Sequence, residues 1–277
     1  MTSDSHYRGV EALNAGDYNR AIACFDAALR FNPRHAAAYL CRGRAHVRKG
    51  DAVAGLRDFT EAIHLEPGNL SAYDLRGLTY AGRGEDEKAI RDYTEALRID
   101  PRIPRIFILR AASYTRRREN DRAVADCTEA LRLDPRNAAA HKARGIAYAE
   151  ERDYEQAARD FAEALRLDPG YATAYSRFAW LLATCPRDGL RDGERALHYA
   201  RTAMQLSGLE DSHYLESLAA AYAENGRFAE AAGWQQRALE RQEFAEQEAE
   251  EAWMRLYLYE EGRPYRELDR PRGPGER

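Results

Sequence analysis

The chain is poor in the residues that usually announce chemistry. It has four cysteines in 277 residues, Cys24, Cys41, Cys127 and Cys185. None forms a CxxC pair or stands beside a histidine at ligand spacing, so neither a disulfide framework nor a zinc site is expected. Its seven histidines are scattered, with no HExxH-type pair on one helix face, and no metal is expected. A Walker-type glycine loop, a GxSxG elbow and a GxGxxG turn are all missing. The many acids fall on helix faces without a pocket built from several segments, so no acid/base couple emerges and neither an enzyme nor a cofactor is expected. No apolar run reaches the length of a membrane span, and the opening Met1–His6 is polar rather than basic and then apolar. The expectation is a cytoplasmic chain without a membrane segment. Lysine is nearly absent, represented by Lys49, Lys88 and Lys142 alone. Arginine carries the positive charge, the net charge is −4, and residues 207–261 hold 13 acids against 4 bases. With no basic and aromatic stacking surface, nucleic acid is not an expected partner.

What is present is a period. Pro33, Pro67, Pro101, Pro135 and Pro169 are spaced 34 residues apart. An alanine precedes each by five residues (Ala28, Ala62, Ala96, Ala130, Ala164), and Phe25, Phe59, Tyr93, Cys127 and Phe161 precede them by eight. A small residue stands 24 before: Gly9, Gly43, Gly77, Ala111 and Gly145. A strict period of this length marks a stacked helix-pair array. In the third unit, helical spacing predicts one helix over 70–82 and a second over 86–99. Gly82-Arg83-Gly84-Glu85 breaks the chain between them, and Asp100-Pro101 ends the unit. The small residue serves a close helix crossing, with Ala89 and Ala96 expected opposite Gly77, and the rings fill the wider gaps.

These slots resemble the tetratricopeptide repeat. The resemblance implies an all-α fold, a right-handed superhelical solenoid of about seven helix-turn-helix units. The units start near residues 2, 36, 70, 104, 138, 172 and 212, with a capping helix over 242–261 and a loose tail over 262–277. The sixth unit departs from the period: Pro186 stops its first helix, the connection over 183–192 is lengthened, and Asp192 is the expected N-cap of its second helix. In the seventh, Gln235 stands in the aromatic slot. The capping helix is predicted to bury a stripe of Ala245, Ala249, Ala252, Trp253, Leu256 and Tyr257. A second departure recurs. The slot before the small residue, commonly leucine in this family, is arginine at Arg8, Arg42, Arg76, Arg110 and Arg144. Sixteen residues after the last four stand Asp58, Asp92, Asp126 and Asp160. A ladder of Arg–Asp pairs is predicted, each partly exposed and contributing about 0–1 kcal/mol.

The resemblance also implies a function: a non-catalytic scaffold binding a peptide or partner protein in a concave groove lined by the first helices. Carried over slot by slot, the groove positions are Leu40, Arg44, Arg48, Asp74, Leu78, Arg105, Ile108, Arg116, Lys142, Ile146, Ser176 and Trp180. Glu216 and Glu224 continue them into the seventh unit. The middle is basic with apolar patches and the C-terminal end acidic, so an acidic, partly apolar segment is the expected ligand of the middle. The clamp that some family members use for terminal carboxylates is not expected, because His6, Val10, Cys41, Ser71 and Leu75 occupy its Lys, Asn and Arg slots. Two alternatives stay open. The array is a self-association module that forms a homo-oligomer, or it is the regulatory region of a larger effector such as a kinase.

Overall fold

A computed structural model describes residues 2–208, 211–241 and 246–267. Among them the chain is helical throughout and falls into two units, residues 1–135 and 136–277. In the first unit α1 (Thr2–Asn14) pairs with α2 (Tyr18–Phe31), α3 (Ala36–Arg48) with α4 (Ala52–Leu65), α5 (Leu70–Gly82) with α6 (Asp86–Ile99), and α7 (Pro104–Arg116) with α8 (Asn120–Leu133). The second unit pairs α9 (Ala138–Glu150) with α10 (Tyr154–Leu167). It also pairs α11 (Ala172–Thr184) with α12 (Gly193–Ser207) and α13 (Ser212–Glu224) with α14 (Phe228–Glu240); α15 (Glu246–Glu260) then packs on α14. Within the first unit, each pair's second helix also packs on the next pair's first helix, and consecutive first helices touch: α1 with α3, α3 with α5, α5 with α7.

The repeated residues explain the packing. A Cβ on Gly77 would lie 2.8 Å from the Tyr93 ring, so the crossing of α5 and α6 closes only because no side chain stands there. Tyr93 and Ala96 are fully buried behind it. In the fourth pair the slot holds Ala111, and the ring opposite is replaced by Cys127; both are buried, the larger Cβ being matched by a smaller neighbour. Asp17, Asp51, Asn69, Asn137, Asp153, Asp192 and Asp211 cap their helices by accepting from a backbone N–H two or three residues on. Gly208 ends α12 in the left-handed conformation. The lengthened connection before α12 contains a single 3-10 turn, Asp188–Leu190. Arg191 braces it with ion pairs to Asp188 and Glu224.

Two expectations are corrected at the C-terminal end. On α15 the face turned inward carries Ala252, Arg255, Leu256 and Tyr259, while Trp253 and Tyr257 are each 60% exposed. The stripe is rotated because Tyr259, not Tyr257, continues the i, i+3/i+4, i+7 row from Ala252. Ala245 lies outside the described residues. The run expected to be a loose tail is, over 262–267, laid back on α11: the Glu267 N–H donates to the Thr184 carbonyl at 3.0 Å. Residues 268–277 lie outside the described residues.

Candidate functional site

The recurrent arginines decide which charges are free. Each of Arg42, Arg76, Arg110 and Arg144 grips the aspartate sixteen residues on with Nε and Nη2, every bond lying between 2.7 and 2.9 Å. The third donor reaches back to the preceding helix pair: Arg42 Nη1 to Asp26 at 2.5 Å, Arg76 to Thr60 at 3.1 Å and Arg110 to Thr94 at 3.0 Å. The ladder is therefore more buried than exposed-pair chemistry assumes. The aspartates keep 6–10% of their side-chain surface and the arginines 17–21%. Burial would push the Asp160 carboxyl up, but hydrogen bonds from Arg144 and His141 outweigh it and hold the group below its ordinary range. Arg8 has no acid sixteen residues on and, among the described residues, makes only an exposed pair with Asp4.

The groove positions of the first unit separate into two kinds. Arg44 and Arg48 project into solvent from α3 and form no ion pair among the described residues, with Leu40 half-buried beside them. Leu78 and Ile108 are half-buried on α5 and α7. Arg105 and Asp74, both predicted to line the groove, are brought together as an ion pair at 2.5 Å that ties α7 to α5. Arg116 is turned to the start of α6, where Nη2 lies 2.5 Å from Asp86. Two of the four first-unit arginines are thus already neutralised.

In the second unit Ile146 is half-buried, and Lys142 lies 5.1 Å above the Tyr171 ring. Ser176 is buried, its hydroxyl 2.8 Å from that of Ser217 on α13. Trp180 donates Nε1–H to Glu267 at 2.7 Å. The two acids expected to make this end negative are paired. Glu216 is buried against Arg255, and Glu224 meets Arg191 at 3.1 Å and Arg266 at 2.5 Å. Burial would raise the Glu216 carboxyl, yet hydrogen bonds from His213, Arg255 and Gln235 hold it below its usual range. Gln235 fills the missing aromatic slot and is fully buried beside Glu216.

Around these groups lies a cavity of about 230 Å³. Ser176, Arg177 and Trp180 line it from α11, His213, Glu216 and Ser217 from α13, Glu251 and Arg255 from α15, and Tyr265 and Glu267 from the returning segment. Of the positions carried over as groove-lining, Ser176, Trp180 and Glu216 lie on its wall. Slot-counting missed Arg255, Tyr265 and Glu267, which come from beyond the last repeat. The one available signal was that Arg255 shares the row of Ala252 and Tyr259.

Paired helices at this period, with a small residue facing a ring and an aspartate or asparagine cap, define a tetratricopeptide-repeat protein. The chain belongs to the family described as the Cilia and flagella-associated protein 70 C-terminal domain, whose model matches residues 40–261; a tetratricopeptide repeat model also matches residues 8–56. No curated protein matches it. Among solved structures, a tetratricopeptide repeat protein from Parabacteroides merdae is 19% identical and covers 94% of this chain and 98% of its own, at a TM-score of 0.76. MamA from Desulfovibrio magneticus, 17% identical, covers 61% of this chain and 96% of its own at 0.58. The Cut9–Hcn1 hetero-tetramer of the APC/C is matched at 16% identity and 0.72, over 90% of this chain and 48% of that one. At these identities the likeness speaks for the fold. No helix among the described residues is long and apolar enough to cross a membrane.

Proposed function

We propose that the protein is a non-catalytic interaction scaffold and that the first-helix face of residues 36–116 binds an extended, acidic and partly apolar segment of a partner protein. The observation that carries this reading is the chain's own segment 263–267. It runs without regular structure over α11, and its backbone and side chains are held by first helices. A surface of the same build in the first unit offers Leu40, Leu78 and Ile108 for apolar contact. Arg44 and Arg48 supply charge that no acid among the described residues claims, whereas Arg105 and Arg116 contribute only what their pairs with Asp74 and Asp86 leave over. The order of the charges matters for the test. Reversing Arg105 or Arg116 would break an internal ion pair and confuse folding with binding, so the informative variant is R44E/R48E.

Partners captured from lysate by the wild type and by this variant are compared by mass spectrometry, and the captured segment is then titrated as a peptide. The expected result is a partner lost with the double reversal. Its affinity for the wild type falls at least severalfold between low and physiological salt, as exposed charge pairs require. A partner retained by the variant, with affinity indifferent to salt, would move the binding surface elsewhere.

A further inference from the structure

After α15 the chain folds back on the second unit and meets it through three successive side chains. The chain leaves α15 through Gly262, whose φ of 67° turns it around, and runs across α11 to Glu267. Three successive side chains each meet a matching group. The Tyr265 ring stands 5.9 Å from that of Trp180, with the Arg255 guanidinium 5.6 Å from its centre. Arg266 pairs with Glu224 and also donates to the Ala183 carbonyl at 3.2 Å. Glu267 accepts from Trp180 Nε1.

The seat is held by bonds of its own. Arg255 is fixed on Glu216, Ser176 on Ser217, and α15 is anchored by the buried Ala252, Leu256 and Tyr259. By contrast, no residue of 263–267 is fully buried. The segment can therefore leave without taking α15 with it. It also fits incompletely: the 230 Å³ cavity persists beside it, with Arg177, His213 and Glu251 on its wall. Glu267 sits there at a cost, since burial pushes its carboxyl up and Glu150 adds to the rise, only partly offset by Trp180, Arg177 and Arg152.

We propose that this seat is an exchangeable peptide site and that residues 263–267 are its resident occupant. Its incoming partner is an extended protein segment with aromatic, basic and acidic side chains in direct succession, the pattern of Tyr265-Arg266-Glu267. A tethered segment competes at an effective concentration of roughly millimolar. A bare copy of the triplet therefore cannot displace it. A natural partner succeeds by adding contacts in the cavity, where Arg177 and His213 accept further negative charge and Glu251 positive. The site shares with the first-unit reading only the premise that first helices seat extended chain. R44E/R48E leaves it untouched, so the two readings fail separately.

The test uses the full chain and a fluorescein-labelled peptide Gly-Arg-Pro-Tyr-Arg-Glu, the sequence of 262–267, followed by anisotropy. Y265A/E267A removes two of the three side chains that hold the occupant, freeing the Trp180 indole N–H and the face of its ring. This variant is expected to bind the peptide at least tenfold more tightly than the wild type, and a peptide with alanine in place of Tyr and Glu is expected not to bind. R266A, which loosens the occupant at its part-buried Glu224 contact, gives an intermediate gain and serves if the double variant is unfolded by circular dichroism. Equal binding by the wild type and both variants, or no binding by any of them up to millimolar peptide, overturns the proposal.

Discussion

Arg76 shows most clearly how one residue type does two jobs in this chain. Its bidentate hold on Asp92 satisfies a carboxylate with 6% of its surface left, and its remaining donor reaches Thr60 of the pair before. The same guanidinium lies 5.8 Å from the Tyr73 ring. Removing it leaves Asp92 buried and unpaired, so R76L is expected to cost about 1–3 kcal/mol in urea unfolding. The double variant R76L/D92L is expected to recover part of that loss, because no orphaned charge remains. R8A, which removes only an exposed pair, is expected to change stability by less than about 0.5 kcal/mol. If R76L proves as mild as R8A, the ladder is decoration rather than structure. The spacing alone located the four partners of this ladder. It could not tell that the aspartates are buried, since burial depends on the neighbouring helix pair as well as on the partner.

At the scale of the element, the turns inside the pairs explain where the helices end and where they are strained. Gly16, Gly50, Gly84 and Gly226 occupy the same turn position with φ between 70° and 96°. In the fourth and fifth pairs this place is taken by Arg118 and Arg152, at 61° and 64°. A side chain there pushes Cβ against the following carbonyl. Arg152 has an extra duty, its carbonyl accepting from Arg187 at 3.3 Å, so Arg118 is the cleaner probe. R118G is expected to raise stability by about 0.5–1 kcal/mol, read as a higher urea midpoint at unchanged slope. A lower midpoint would mean that the arginine side chain returns more than the strain takes. The rotation of α15 belongs to this scale too. Its sequence offers aromatic residues on two faces, and only the packing against α13 and α14 selects Tyr259 and Arg255 over Trp253 and Tyr257.

At the scale of the whole molecule, pairing decides which charges of the first-helix face count. Glu216 and Glu224 predicted a negative end to the groove, yet both are matched by arginines. This pairing sets the response to acid. Asp160 and Glu216 have carboxyls held below their ordinary range by their partners. Their contribution to stability is therefore complete above the unfolded value, near pH 4, and is lost as pH falls through the folded one. Glu267, raised by burial, works the other way: its contribution is full at acid pH and fades as pH rises through its folded value. Urea unfolding followed from pH 7 to pH 3 should show stability falling below about pH 4. D160N, already weaker at neutral pH because it loses the charged bond to Arg144, should show a shallower fall. A parallel fall in both proteins would remove Asp160 from the acid response.

The sequence by itself determined the repeat: the 34-residue period, the bounds of the template helices at 70–82 and 86–99, the close crossing at the small residue, the Asp192 cap and the four Arg–Asp pairs; that the ring of Tyr93, rather than Ala89 and Ala96, lies against Gly77 came from the packing. These are decided within one helix pair, where fixed spacing on two joined helices dictates which side chains meet. Only the tertiary structure decided which charges stay free. Arg44 and Arg48 remain available while Arg105 and Arg116 do not, because their acids come from a neighbouring helix pair about thirty residues away. The structure alone also brought 263–267 back onto Trp180, a contact across 87 residues in sequence. No period reaches that far, because an array repeats only what each pair needs from its neighbour, and the end of the array has a neighbour unlike the rest.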